Sequence, residues 1–351
     1  MHNAVAERVQ GVTGLAEKDR PSQAPAPAPK TPVIAIEDLR VRFSGARTVH
    51  ALNGVDLTLA QGEVLGLLGE SGSGKSVTLR AILRMLPPHR TRITGGISLD
   101  GRDVLAMSET ALETMRGRVV SMIFQEPMLA LDPVYTIGDQ IAETVVRHEG
   151  ASHADGRKRA LDMLEAVRIP SPKRRLDAYP HEMSGGMRQR AMIALALACK
   201  PKVLLADEPT TALDATVQIQ ILLLLRELQR EMGMAVIFVT HDIGVAVEIS
   251  DRVAVMYGGR IVETGTLQQV VGSPAHPYTR GLLASTVLGA RRGQRLETIP
   301  GAPPRLDRLP AGCSFAPRCQ LAEPACTDGE IPEIALSPGR NVRCIKVGVP
   351  A

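Results

Sequence analysis

The sequence predicts an α/β fold built on a parallel sheet, and three observations carry that prediction. Short apolar runs alternate with stretches of helical periodicity over most of the chain. The run Gly69-Glu70-Ser71-Gly72-Ser73-Gly74-Lys75-Ser76 lies between an apolar stretch, Val64 to Leu68, and a helical one, Val77 to Leu86. A further apolar run, Val203 to Ala206, ends on two adjacent carboxylates, Asp207 and Glu208.

Taken in order, residues 1–32 are expected to be a disordered or extended leader, because the Ala/Pro-rich segment 21–32 suits neither a helix nor a sheet ladder. Strands are expected next at Val33–Ile36, Leu39–Phe43, Val55–Leu59 and Val64–Leu68, divided by turns such as Ser44-Gly45 and Gln61-Gly62. Helices are expected at Val77–Leu86 and Ala111–Arg116, then a strand at Val119–Phe124 ending on Gln125-Glu126-Pro127. From Thr136 to Ala198 the pattern is mostly helical, broken at Gly150 and at Pro170 to Pro172. Val203–Ala206 and Ala235–Thr240 look like buried parallel strands joined by a helix at Ala215–Glu231. Beyond Val262 the chain becomes rich in Pro and Gly.

Composition narrows the options. The chain has 351 residues, 44% of them hydrophobic but only 2% aromatic, with no Trp, so its core must be aliphatic. Lys and Arg number 41 against 37 Asp and Glu, too even a balance to argue for nucleic acid. The basic clusters His89 to Arg92 and Lys173 to Arg175 read as solvated surface. No apolar run approaches the ~18 residues that span a bilayer. Met1 to Arg20 is polar and mixed in charge, unlike a secretory signal, so a soluble, cytosolic chain is expected.

The glycine-rich run fits the phosphate-cradling pattern G-x-x-x-x-G-K-[ST]. Its glycines let successive backbone N–H groups face the phosphates, helped by the positive end of the adjoining helix. Lys75 would reach the β- and γ-phosphates and the Ser76 hydroxyl would bind Mg²⁺. Asp207, at the end of an apolar strand, is placed to hold Mg²⁺, and Glu208 to act as general base on the attacking water. Ser184-Gly185-Gly186 opens a helical run and reads either as a capping turn or as a second anion site. One nucleotide does not need two cradles unless the second serves a neighbour's nucleotide.

This set resembles the ATP-binding subunits of ABC transporters. Walker A matches at 69–76, Walker B at 203–208 and the signature at 183–187, which reads Met-Ser-Gly-Gly-Met where Leu-Ser-Gly-Gly-Gln is commonest. Gln125 matches the Q-loop, Ala212-Leu213-Asp214 the D-loop and His241 the switch histidine. The resemblance implies a P-loop NTPase of the ABC type over residues 33–265, with an antiparallel β subdomain and a helical subdomain near 127–198. It implies ATP held by Gly69, Ser71, Gly72, Ser73, Gly74, Lys75, Ser76 and Val77, with Phe43 stacked on the adenine. Ser184, Gly185 and Gly186 would serve the ATP of a head-to-tail partner, and Asp214 would contribute to nucleotide binding. Gln125 would sense Mg²⁺ and the water, and His241 would steady the γ-phosphate.

A narrower resemblance is to the oligopeptide/dipeptide importer branch, including its nickel and glutathione members. Gln125-Glu126-Pro127, Leu131-Asp132-Pro133, Thr136 to Gln140 and Tyr179-Pro180-His181 carry it, with His276-Pro277-Tyr278-Thr279, Ile299-Pro300-Gly301 and Pro303-Pro304 in a C-terminal extension, 266–351. It implies a "D" type subunit paired with a homologous "F" type. Two transmembrane permease subunits and an extracytoplasmic solute-binding protein complete the system, with no nucleic acid, and place the chain on the cytoplasmic face of a bacterial inner membrane. The solute is left open. A soluble ABC ATPase acting on ribosomes or DNA is the alternative, although such proteins usually carry two cassettes or a long coiled coil.

Four of the five cysteines, Cys313, Cys319, Cys326 and Cys344, crowd the tail. They read as a metal site, as zinc ligands or as free thiols in a loop, and none of their spacings is that of a zinc ribbon. The importer tail resembles one that carries a [4Fe–4S] cluster. Cys199, inside an apolar helical run, reads as a core thiol.

Overall fold

The computed structural model describes residues 32–211, 213–286 and 298–347. The expected leader lies outside them except for Pro32, which opens strand β1, Pro32–Phe43, and is therefore part of the fold rather than of the leader. β1 also corrects the two expected strands, which are one: Asp38, with φ 41°, absorbs an irregularity in the register without ending the ladder. β1 pairs antiparallel with β2, Val49–Ala60, and with β4, Thr91–Leu99, which in turn pairs with β5, Arg102–Asp103. These four strands are the antiparallel β layer.

The second sheet has eight strands, of which five are parallel neighbours in the order β9, β3, β8, β7, β6. They run Arg252–Tyr257, Val64–Leu68, Ala235–Thr240, Val203–Asp207 and Val120–Ile123. Every residue of β3, β7 and β8 is buried, as expected of parallel strands covered on both faces. β10, Arg260–Thr266, adds to β9 antiparallel, and the tail strands β12, Arg340–Val342, and β11, Ile334–Ser337, extend the sheet beyond it. The C-terminal extension thus enters the same sheet as the nucleotide-binding strands instead of hanging from it.

The α-helices of six or more residues are α1, Lys75–Ile82; α2, Glu109–Arg118; α3, Ile137–Glu149; α4, His153–Ala166; and α5, Gly185–Leu197. After them come α6, Ala215–Met232; α7, Ile243–Ile249; α8, Leu267–Gly272; and α9, Pro277–Ala284. α1 ends four residues before the expected Leu86, and α2 contains a break at Arg116 and Gly117. Gly150 stops α3 as a left-handed C-cap, and Ser152 caps α4 through the Asp155 N–H, so the expected break at Gly150 is a helix boundary.

One aliphatic core fills the space between the antiparallel layer and the large sheet, and a second lies between that sheet and α3–α6. A third, with Tyr257, Tyr278 and Phe315, joins the extension to β9 and α7. No helix among the described residues is long and apolar enough to cross a membrane.

Candidate nucleotide site

The site arises from strand order. β3, β8, β7 and β6 lie side by side and parallel, so their carboxyl ends share one edge of the sheet. Ligands collect at that edge in open α/β sheets. There β3 delivers the loop 69–74, β8 delivers His241, β7 delivers Asp207 and Glu208, and the segment after β6 delivers Gln125.

A cavity of about 900 Å³ opens at this edge. Phe43, Gly69, Ser71, Gly72, Gly74, Lys75, Ser76, Val77, Gln125, Glu208 and His241 all line it. Gly69 is required by close approach, since a Cβ there would meet the Met256 carbonyl oxygen at 2.3 Å. Gly74 has φ 111° and supplies no side-chain cap, so the first N–H groups of α1 stay open to an anion.

Lys75 is 5% exposed and bridges the loop, donating to the carbonyls of Gly69 at 2.7 Å and Glu70 at 3.0 Å. Burial pushes its ammonium below the ordinary lysine value, opposed by the carboxylates of Glu208, Asp207 and Glu70. A bound phosphate would oppose it further. The Ser76 hydroxyl donates to Asp207 Oδ1 at 2.8 Å. Burial raises the Asp207 carboxyl, and that hydrogen bond pulls it back down.

Glu208 sits at φ 47°, a left-handed conformation uncommon for a residue with a side chain, with its N–H donating to the Val239 carbonyl of the neighbouring strand. Its Oε2 accepts from Thr211 Oγ1 at 3.0 Å and faces His241 Nδ1 at 3.2 Å. Carboxylate and imidazole are thus held together over the phosphate loop.

Four predicted groups lie elsewhere. Ser73 is buried beneath the loop, and Asp207 stands behind Ser76 rather than on the cavity wall. Ser184, Gly185 and Gly186 form the N-terminus of α5, where Ser184 Oγ accepts from the Met187 N–H. Asp214 caps α6 by accepting from the Val217 N–H at 2.9 Å. Gly186 lies against this cap, since a Cβ there would be 3.0 Å from Val217 Cγ1. Neither the signature nor Asp214 reaches the cavity of its own chain. Ala212, of the predicted D-loop, lies outside the described residues.

Sequence reasoning missed Thr211 and the part of the wall that comes from the extension. Leu282, Ser285, Thr298, Ile299 and Leu306 face the same cavity, and the Leu306 carbonyl accepts from the His50 N–H of β2 at 2.9 Å. Ile299 lies in the Ile299-Pro300-Gly301 run singled out above, though not as a wall of this site; no local pattern marks the others.

The four tail cysteines line a second, apolar cavity of about 20 Å³, together with His276 and Phe315. All four are free thiols. Among the described residues, no group of three or more His, Cys, Asp and Glu side chains is close enough to hold one metal ion. Cys199 is buried in the helical core, as expected of a structural thiol.

An ATP-binding cassette is the class that this fold and this phosphate site define. The ABC transporter family model matches residues 52–211, and the model for the C-terminal region of oligopeptide/dipeptide transporters matches residues 262–326. A putative peptide import ATP-binding protein of Brucella abortus (strain 2308) is 49% identical over 330 residues, covering 90% of this chain and 98% of its own. The oligopeptide transport ATP-binding protein OppD of Salmonella typhimurium is 47% identical over 322 residues, covering 92% and 96%. Among solved structures, a dimeric, post-hydrolysis state of the ATP-binding cassette MJ0796 bound to ADP and Pi superposes with TM-score 0.60 at 31% identity, over 67% of this chain and 98% of that one. The chain belongs to the ABC transporter ATP-binding family, in the branch that carries the oligopeptide/dipeptide C-terminal region, and it is an ATPase.

Proposed function

We propose that this chain powers the import of di- or oligopeptides through a separate permease. The observation that carries the reading is that a cassette nucleotide cavity and an oligopeptide-type extension share one wall and one sheet. Nickel or glutathione import by the same machinery is the alternative.

In this reading the loop 69–76 cradles the triphosphate, with Lys75 turning from its own loop carbonyls to the β- and γ-phosphates. The Ser76–Asp207 pair fits Mg²⁺, because it presents a hydroxyl and a buried carboxylate that has no basic side chain bonded to it. Bound with ATP, that ion supplies neutralisation of charge on the phosphate oxygens. Glu208 orients the attacking water and takes its proton, while His241 and Thr211 hold the carboxylate in place. Gln125 reports the state of the site toward the membrane subunits. Phe43 stacks on the base. Ser184, Gly185, Gly186 and Asp214, displaced from their own cavity, serve the ATP of a head-to-tail partner, a homologous "F" type cassette.

Two transmembrane permease subunits, and through them an extracytoplasmic binding protein, complete the assembly. The site of action is the cytoplasmic face of the bacterial plasma membrane. Tagging the full chain and purifying it from its native membranes tests the reading. Two polytopic subunits, a second cassette and a peptide-binding protein are expected; ribosomal proteins in their place would overturn it.

The tail cysteines fit a [4Fe–4S] cluster by donor chemistry. Burial raises the thiols of Cys313, Cys319 and Cys344, so thiolates there need a cation beside them. The sulfurs surround a space of only about 20 Å³ and, among the described residues, are not drawn together around one ion, so the assignment rests on the four-thiol donor set and the tail would have to open to admit a cluster. His276 adds a buried Nε2 without a partner. Anaerobic purification should give about four irons per chain and visible-range absorbance, both lost when the four cysteines become serine. Iron-free wild type, or zinc in its place, would sink this assignment.

A further inference from the structure

Glu70, the second residue of the phosphate loop, is held from every side, and much of what holds it comes from the extension. Its N–H donates to Tyr278 Oη of α9 at 2.9 Å. Its carbonyl accepts from Lys75 Nζ at 3.0 Å and from the Ser73 N–H at 3.2 Å. Its carboxylate accepts a two-pronged pair from Arg318, Nη1 to Oε2 at 2.7 Å and Nη2 to Oε1 at 3.1 Å.

Arg318 is itself fully committed. Nη1 also donates to Tyr257 Oη at 3.1 Å, Nε to the Pro300 carbonyl at 2.9 Å and Nη2 to the Ile299 carbonyl at 3.3 Å. A guanidinium has five N–H donors, and these contacts account for all of them. Its side chain is 6% exposed, against 24% for Glu70. Tyr257, Tyr278 and Phe315 pack ring against ring beneath it, at centroid separations of 4.5 to 5.4 Å. A surface ion pair would carry little weight; a planar, two-pronged and nearly buried one fixes both geometry and charge.

Physically, the arrangement answers a problem in the loop. A carboxylate at Glu70, left free, would sit on the wall of a cavity that receives a polyanion. It would repel the phosphates and could compete for Lys75. Arg318 neutralises it and draws it toward the extension, while Tyr278 fixes the adjoining peptide. The Glu70 carbonyl that Lys75 touches is thereby fixed as well.

We propose that Arg318 is a positioning residue for nucleotide binding: it acts through Glu70 on the phosphate loop and makes ATP affinity depend on the docked extension. The proposal rests on the reading of residues 69–76 as the phosphate loop.

The test uses the full chain in its assembled transporter, with ATP as the varied substrate, and fluorescent-nucleotide binding to the full chain alone. Arg318→Met should raise the KM for ATP about tenfold with kcat within about twofold, since the charge pair bears on binding more than on the γ-phosphate chemistry. The double variant Arg318→Met/Glu70→Gln should recover most of that loss, because it removes the exposed carboxylate. A merely structural role predicts the opposite, with two lesions adding. Arg318→Lys, which keeps the charge but loses the fork, should raise KM about threefold. If Arg318→Met does not fold, Arg318→Lys decides alone: an unchanged KM overturns the proposal. So does a double variant no better than Arg318→Met. Lys75→Ala is the control for the loop itself. If that variant still binds nucleotide, the loop reading fails; if it does not bind while Arg318→Met binds normally, only the role of Arg318 fails.

Discussion

The ATP cavity and the cysteine cavity belong to one chain and are linked through the rings of Tyr278 and Phe315, yet they are built in opposite ways. The first, about 900 Å³, is assembled at the ends of adjacent parallel strands. The second, about 20 Å³, is enclosed by loop segments and single 3₁₀ turns at Ala316–Arg318 and Pro324–Cys326. A strand end fixes the direction in which the chain leaves it, so each ATP motif carries most of its own placement. A loop does not, and the cysteine segments are set by long-range closure, such as the Cys313 N–H donating to the Cys326 carbonyl at 2.8 Å. A site made from strand ends can therefore be placed from local sequence, whereas one made from loops discloses only its donor atoms.

The strand-end site should give the strongest response to substitution. Glu208→Gln keeps shape and hydrogen-bonding capacity but cannot take a proton, so kcat should fall roughly 1000-fold while ATP still binds. Nucleotide should accumulate unhydrolysed in a closed dimer, read by the retention of labelled ATP on gel filtration. Hydrolysis within tenfold of wild type would mean that the strand end does not place the base.

A smaller effect separates the two kinds of cysteine. Burial, reinforced by the nearby Glu149 charge, pushes the Cys199 thiol up from 9.0 to about 11. In the folded chain at pH 8 its thiolate should be roughly 100-fold scarcer than that of an ordinary cysteine, and its alkylation by iodoacetamide correspondingly slow. Because the folded state holds this proton more tightly than the unfolded one, the linked stabilisation is complete below pH 9 and is lost as pH rises toward 11. Rapid labelling of Cys199 in the native protein would show that its helical core opens.

How far the sequence reached differs in the same way. The glycine-rich loop, the paired carboxylates and His241 were legible because each is a short run whose flanking strand was also legible. The alternation of apolar runs disclosed the parallel strands β3, β7 and β8, each buried throughout. It did not disclose that β1 is a single strand, because Glu37 and Asp38 interrupt its apolar pattern at the bulge. Nor did it place β11 and β12 beside β10, since a strand of three or four residues pairs by tertiary fit. The contribution of Arg318 lay furthest from reach: its partner Glu70 is 248 residues away in sequence.

The mildest change is expected at a predicted ATP contact that packing could equally explain. Phe43 lines the cavity beside Val49 and Leu306, and it also packs on the aliphatic core between the two sheets. It closes β1, where it pairs with Val49 and with Thr91 of β4. If its ring stacks on the base, Phe43→Leu should keep an apolar side chain on the core but lose the π-face, raising the KM for ATP about tenfold beyond any small loss of Tm. If the ring serves packing alone, Leu should shift Tm by a few degrees and leave KM unmoved. Leu306 supplies the internal comparison, because it brings apolar surface to the same wall without an aromatic face. Leu306→Ala should cost less than Phe43→Leu in affinity if stacking holds the base, and as much or more if simple burial does.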